Sequence, residues 1–320
     1  MRRRFLEFLG YWGTWLGFEL GALTVRLFPR GFLFSVSQAM ADSGFYLFRN
    51  FRKRSIQNLG IALGNQLDTY EIEEIARAVL RNFFRAFVEI GLALQASPEE
   101  IRGEIPIEGR EHLEAALSQG QGVIALSAHL GNFFLLGTRL AAEGYPISVL
   151  VNPTRHGRFA EMMDRYRLKV GQKTIHARPR RQAARELLQA LRRNDLVVMI
   201  ADEYRTKGIP VSFFGGMVLA RRGPVTLALR TRAIVLPLYL VRNREGQLTL
   251  VIEPELKLQR SGRLAEDLAG NALRITQWLE RAVRSYPDQW NWMNVRWHGG
   301  QTAEGSRQNA VPPACLPPAA

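Results

Sequence analysis

His129 sits in the segment His129-Leu130-Gly131-Asn132-Phe133-Phe134, just past the apolar run Val123 to Leu126. An imidazole titrates near neutral pH, so a histidine on a turn after a buried strand is placed to take a proton from an attacking hydroxyl. Such a base works best with a carboxylate on its second ring nitrogen, which fixes the tautomer and steadies the imidazolium that forms. A later apolar run, Leu196 to Ala201, ends on Asp202-Glu203, two acids in a comparable position. Gly131 and Asn132 open the helix that follows and would bring N–H donors to a developing oxyanion. A plain turn with an N-cap accounts for the same two residues equally well.

The elements that must hold these groups alternate in kind. The pattern predicts an edge strand at Ile105 to Glu108, a helix over Arg110 to Ser118 and a buried strand over Gly122 to Ser127. A helix over Phe134 to Glu143 and a strand over Ile147 to Val151 come next, then helices over Phe159 to Lys169 and Arg180 to Arg193. After the strand Leu196 to Ala201 come a helix over Val225 to Thr231 and strands over Val235 to Val241 and Leu248 to Ile252. This order predicts an α/β fold, a mostly parallel mixed sheet flanked by helices. Ligands in such sheets gather at the carboxyl ends of strands, where both His129 and Asp202-Glu203 fall.

Ahead of the sheet, Gly31 to Leu94 reads as helical. Ile72, Ile75, Ala76, Val79, Leu80, Phe83, Phe84 and Phe87 recur at three-to-four spacing, with Asp68 or Thr69 as cap and Glu71 in the first turn. The division expected is a helical, membrane-associating region (1–95), an α/β domain (96–300) and a loose tail (301–320) with four prolines. Met1-Arg2-Arg3-Arg4 leads into a stretch rich in Trp and Phe that reaches Leu27. Its longest uncharged run, Phe8 to Phe18, is too short to cross a bilayer, which needs about 20 apolar residues. Arginines beside large aromatics suit a helix lying in the membrane interface.

Lys and Arg number 43 against 29 Asp and Glu, a net charge of +14 that favours anionic partners. The one cysteine, Cys315, excludes a disulfide within the chain and a cysteine-built metal centre. Nucleic acid is disfavoured, because the basic residues join no reading motif.

Four ordered blocks carry a resemblance. Ser127 to Phe133, Ala201-Asp202-Glu203, Val211-Ser212-Phe213-Phe214-Gly215 and Tyr286 to Met293 together resemble the bacterial lipid A biosynthesis (lauroyl/myristoyl) acyltransferase family over about residues 1–298. The resemblance implies a fold like that of glycerophosphate acyltransferases and the transfer of an acyl chain from a thioester donor to a lipid or glycolipid hydroxyl. The donor would be an acyl carrier protein or acyl-CoA, with no metal or organic cofactor. The place of work would be an anionic membrane surface, the cytoplasmic face of a bacterial inner membrane.

The chain departs from the family pattern at two places. Phe134 stands where the family motif has an acid five residues after the histidine, and Asn152 stands where an arginine is usual. Three readings of the first departure stay open. Asp202 or Glu203 supplies the missing carboxylate; a backbone carbonyl sets the tautomer; or both acids only cap a loop or pair with Arg205, leaving a catalytically impaired lipid-binding or scaffold protein. Arg167 and Arg222 are the expected contacts for a lipid phosphate, and Trp290 and Trp292 are expected to be core.

Overall fold

A computed structural model of the chain describes residues 23–152, 157–204 and 207–298. Most of the expected interfacial helix and all of the tail lie outside the described residues.

After a helical stretch at 23–27 come α1 (Arg30–Leu47), α2 (Arg49–Leu63) and α3 (Thr69–Ala93). The start of α3 follows from its sequence: the Asp68 carboxylate accepts from the Glu71 N–H, and the Glu71 side chain accepts in return from the Asp68 N–H, each at 2.8 Å. Ser97 repeats the device with Glu100 for the short α4 (Pro98–Glu104).

The α/β part then runs β1 (Ile107–Glu108), α5 (Arg110–Ser118), β2 (Val123–Ser127), α6 (Phe133–Ala142), β3 (Ile147–Val151), α7 (Gly157–Lys169) and β4 (Gln172–His176). It continues with α8 (Arg180–Arg192), β5 (Leu196–Ile200), the hairpin β6 (Ile209–Phe213) and β7 (Gly216–Ala220), and α9 (Gly223–Thr231). The last elements are β8 (Ile234–Arg242), β9 (Leu248–Ile252) and α10 (Leu264–Ser285).

Seven strands form one sheet in the order β1-β9-β8-β2-β5-β3-β4, and all neighbours are parallel except β8 and β9. The expected mostly parallel sheet is therefore present. Every residue of β2 is buried, because the strand lies near the middle of a sheet covered on both faces. Ile124 and Leu126 join a core with α8, α9 and α10, whereas Val123 and Ala125 join a second core with α5, α6 and Tyr166 of α7. Each large side chain so buried contributes about 1.5–3 kcal/mol. Arg139 of α6 is 2% exposed, and that burial is tolerated because its guanidinium donates to the Ile105 carbonyl (2.6 Å) and to Glu143 (2.6 Å).

The short helix α4, the strand β4 and the hairpin β6–β7 go beyond the expected set. Strand β4 lies at the sheet edge and buries only Gln172 and Ile175, so its sequence lacks an apolar run. The hairpin β6–β7 forms its own two-stranded sheet, turning at Phe214 (φ 49°) and Gly215 (φ 75°). Helix α10 packs against it, with Glu280 accepting from the Phe214 N–H at 2.7 Å.

Candidate active site

Strands β2 and β5 pair in parallel with Ser127 opposite Ile200. His129 and Asp202 each lie two residues past their member of that pair, and the Ala201 N–H donates to the Ser127 carbonyl at 2.8 Å. Equal offsets from one register bring both groups together above the sheet. The imidazole Nδ1 donates to Asp202 Oδ1 at 2.8 Å, and the His129 backbone N–H donates to Oδ2 at 2.9 Å. Nε2 is thereby the nitrogen with the free lone pair.

Trp290 completes the arrangement. Its indole N–H donates to Asp202 Oδ2 at 2.8 Å while the ring itself is fully buried. Trp290 is in the core, as its sequence predicts, and carries this second task as well. Its signal was chemical: a buried indole has one donor to satisfy, and the nearest acceptor here is the carboxylate.

The Asp202 side chain has no exposure, so burial works against its charge. The adjacent imidazole and the converging N–H donors outweigh that cost and hold the carboxyl below its usual range. Burial likewise opposes a charged His129, yet the Asp202 carboxylate beside it, helped by Glu203, holds the imidazole above its ordinary value. The two shifts agree in describing a pair that stabilises charge separation.

Glu203 itself turns elsewhere. Its carboxylate accepts from Asn152 Nδ2 at 2.8 and 3.1 Å and pairs with Arg221. Of the two acids, the structure brings Asp202 to the ring and gives Glu203 to the polar rim. Asn152, in the place where an arginine is usual, shares the holding of Glu203 with Arg221.

Gly131 and Asn132 correct another expectation. The Gly131 N–H donates to the Gln289 carbonyl (2.9 Å) and the Asn132 N–H to the Leu240 carbonyl (2.8 Å), so neither amide is presented to a substrate. Their role is to seat the turn against β8 and residues 289–291. Gly131 has φ 60°, and a Cβ there would lie 2.0 Å from the Leu240 carbonyl oxygen. The Asn132 side chain, fully buried, donates to Glu89 at 2.8 Å, and Glu89 in turn pairs with buried Arg242 at 2.5 Å.

The imidazole opens on a cavity of about 330 Å³. Phe133, Phe134, Val149, Met199 and others give it apolar walls, while Asn152, Glu203, Arg167 and Arg221 are polar. Phe133 meets the imidazole edge-on with centroids 4.8 Å apart. Arg167 does line the cavity, held by Asp164 at 2.9 Å. Arg222 does not: it is exposed at the start of α9, and its neighbour Arg221 takes the position at the cavity. A larger cavity, about 430 Å³ around Arg30, Arg85 and Leu248, is lined by no imidazole, so size alone does not mark the chemistry.

The arrangement can accept a proton from a hydroxyl at Nε2 and stabilise the resulting imidazolium, beside a pocket suited to hydrocarbon. Comparison with known proteins agrees in kind. The family model for bacterial lipid A biosynthesis acyltransferases matches residues 2–299. The chain is 25% identical over 300 residues to the phosphatidylinositol mannoside acyltransferase of Mycolicibacterium smegmatis, covering 90% of this chain and 93% of that one. It is 22% identical over 286 residues to the lipid A biosynthesis acyltransferase of Haemophilus influenzae, covering 88% and 86% respectively.

Proposed function

Because the chain belongs to the bacterial lipid A biosynthesis acyltransferase family, we propose that it moves a fatty acyl chain from a thioester to a lipid or glycolipid hydroxyl, with His129 as general base and Asp202 as its orienting acid. One observation carries this reading: a 2.8 Å contact between Nδ1 and a fully buried carboxylate, with the ring lining an apolar cavity. The hydroxyl gives its proton to Nε2 as its oxygen attacks the thioester carbonyl. The tetrahedral intermediate then collapses, the C–S bond breaks, and the imidazolium returns the proton to the departing sulfur. A positioned base of this kind is worth about 10²–10⁴ in rate.

The acyl chain of the donor takes the apolar part of the cavity. An anionic carrier, either an acyl carrier protein or coenzyme A, is supported by Arg178, Arg180, Arg181 and Arg185, all exposed and close in sequence to cavity-lining Ala177. The acceptor is drawn from a membrane surface, the cytoplasmic face of a bacterial inner membrane. Leu27, Phe28, Phe32, Val36 and Met40 support this, since they recur at helical spacing and are each 40% exposed or more. Among the described residues no helix is long and apolar enough to cross a membrane.

Transfer of a radiolabelled acyl group from either carrier to lipid acceptors, by wild type and by His129→Ala, tests the reading. The variant should lose about 10² or more in rate. Equal rates would overturn the assignment of the base, and no transfer by wild type would favour a binding protein.

A further inference from the structure

Phe133 and Phe134, the two rings after the histidine turn, are the inner end of a longer row. Phe134 meets Phe133 at a tilt of 30° with centroids 4.1 Å apart, its centroid lies 6.2 Å from that of Phe87, and Phe87 meets Phe83 edge-on at 5.0 Å. Phe133 and Phe134 line the His129 cavity, whereas Phe83 and Phe87 on α3 are 44% and 50% exposed. Four rings therefore lead from the surface to the imidazole without a polar side chain between them in the series. Phe134, in place of the family's acid, is the link that joins the inside pair to the outside pair.

The outer end continues toward the first described residues. Positions 83, 87 and 91 share one helical face, and Gly91 admits Val25, whose Cγ2 lies 2.9 Å from where a Cβ would stand. Leu23 and Leu27, on either side of Val25, are 50% and 66% exposed. Large rings left in water forgo stabilisation that burial would supply, so a row of them running into a cavity is a surface made for an apolar partner.

We infer that this row is an apolar ramp carrying a hydrocarbon chain of the lipid acceptor from the membrane to the base. The inference rests on the proposed transfer from a thioester to a lipid hydroxyl. The acceptor is the occupant the geometry favours. A donor chain must end with its carbonyl beside His129 and has the cavity interior around Gly137, Val149 and Val198 to fill. A lipid whose other chains remain in a bilayer needs instead an open path on the outside of the protein, and the exposed rings of Phe83 and Phe87 offer one.

The full-length protein is irradiated with phosphatidylglycerol vesicles containing a phosphatidylinositol whose acyl chain carries a diazirine, and the adducts are mapped by mass spectrometry. Adducts are expected on Phe83, Phe87 and Phe134 and are expected to survive added palmitoyl-coenzyme A, and the adduct on Phe134 should fall roughly fivefold or more in a Phe83→Ser, Phe87→Ser variant with an unchanged melting transition. Adducts confined to residues 23–48, or displaced by palmitoyl-coenzyme A, would overturn the assignment. Acyl transfer is measured separately: an inactive wild type that still gives these adducts would defeat the enzymatic reading and leave the ramp in place.

Discussion

Asp202 accepts from Nδ1, from the His129 N–H and from the Trp290 indole, and that convergence decides how the site answers to pH. In the proposed mechanism the neutral imidazole is the base, and its value is raised, so activity should climb with pH through a midpoint above that of an ordinary histidine. In Asp202→Asn the main counter-charge is gone and burial of the ring is opposed by Glu203 alone, so the acid limb should move to lower pH while kcat falls by about 10² to 10⁴. A pH–rate profile of both proteins checks this, and a limb that stays in place would separate Asp202 from the base. At this scale the sequence names both acids and does not distinguish the one that meets the ring from the one that does not. Asp202 and Glu203 are adjacent and chemically alike, and only the register of two distant strands determines which one faces the ring. Trp290 was hidden for a different reason: an indole in a core and an indole donating to a carboxylate have the same apolar pattern in sequence.

The histidine turn is clamped rather than merely connected. The Leu240 carbonyl receives the Asn132 N–H and leaves no room for a side chain at Gly131, while the Gln289 carbonyl takes the Gly131 N–H and its side chain bridges both backbone groups of Arg242 at 2.8 and 2.9 Å. Gly131→Ala adds a left-handed strain of about 1–2 kcal/mol to a collision with backbone that has no means of yielding. Its melting transition should drop by roughly 5 °C or more, and acyl transfer should be lost with it. Differential scanning calorimetry beside the transfer assay tests both effects. Helices and buried strands were legible because burial imposes a period, as in α5 and β3, whose predicted and observed bounds coincide. The edge strand β4 escaped because it buries only two residues, and the hairpin strands escaped because each is only five residues long, one interrupted by Pro210 and the other opening on Gly216. The clamp escaped because contacts between residues more than a hundred positions apart leave no local pattern.

Taken whole, the molecule places its exposed apolar residues of 23–48 on a chain of net charge +14, two properties that act together at an anionic bilayer. Replacing Phe28, Phe32, Val36 and Met40 with serine should lower co-sedimentation with phosphatidylglycerol vesicles by roughly tenfold or more, since each loses apolar contact worth about 1 kcal/mol. Raising salt from low to about 0.5 M should weaken wild-type binding only in part, because screening reaches the charges and not the hydrocarbon. Binding abolished by salt alone would assign attachment wholly to charge. The pairing of Ser127 with Ile200 has one more consequence. Both halves of the dyad are counted from that single pair, so chain length is constrained in short stretches and free between them. One residue inserted between Ser127 and His129, or between Ile200 and Asp202, rotates a functional group out of reach. An equal insertion in the link between Glu143 and Ile147 leaves the count untouched, so a scan of single-codon insertions along the gene should show silence there and inactivation at the two strand ends.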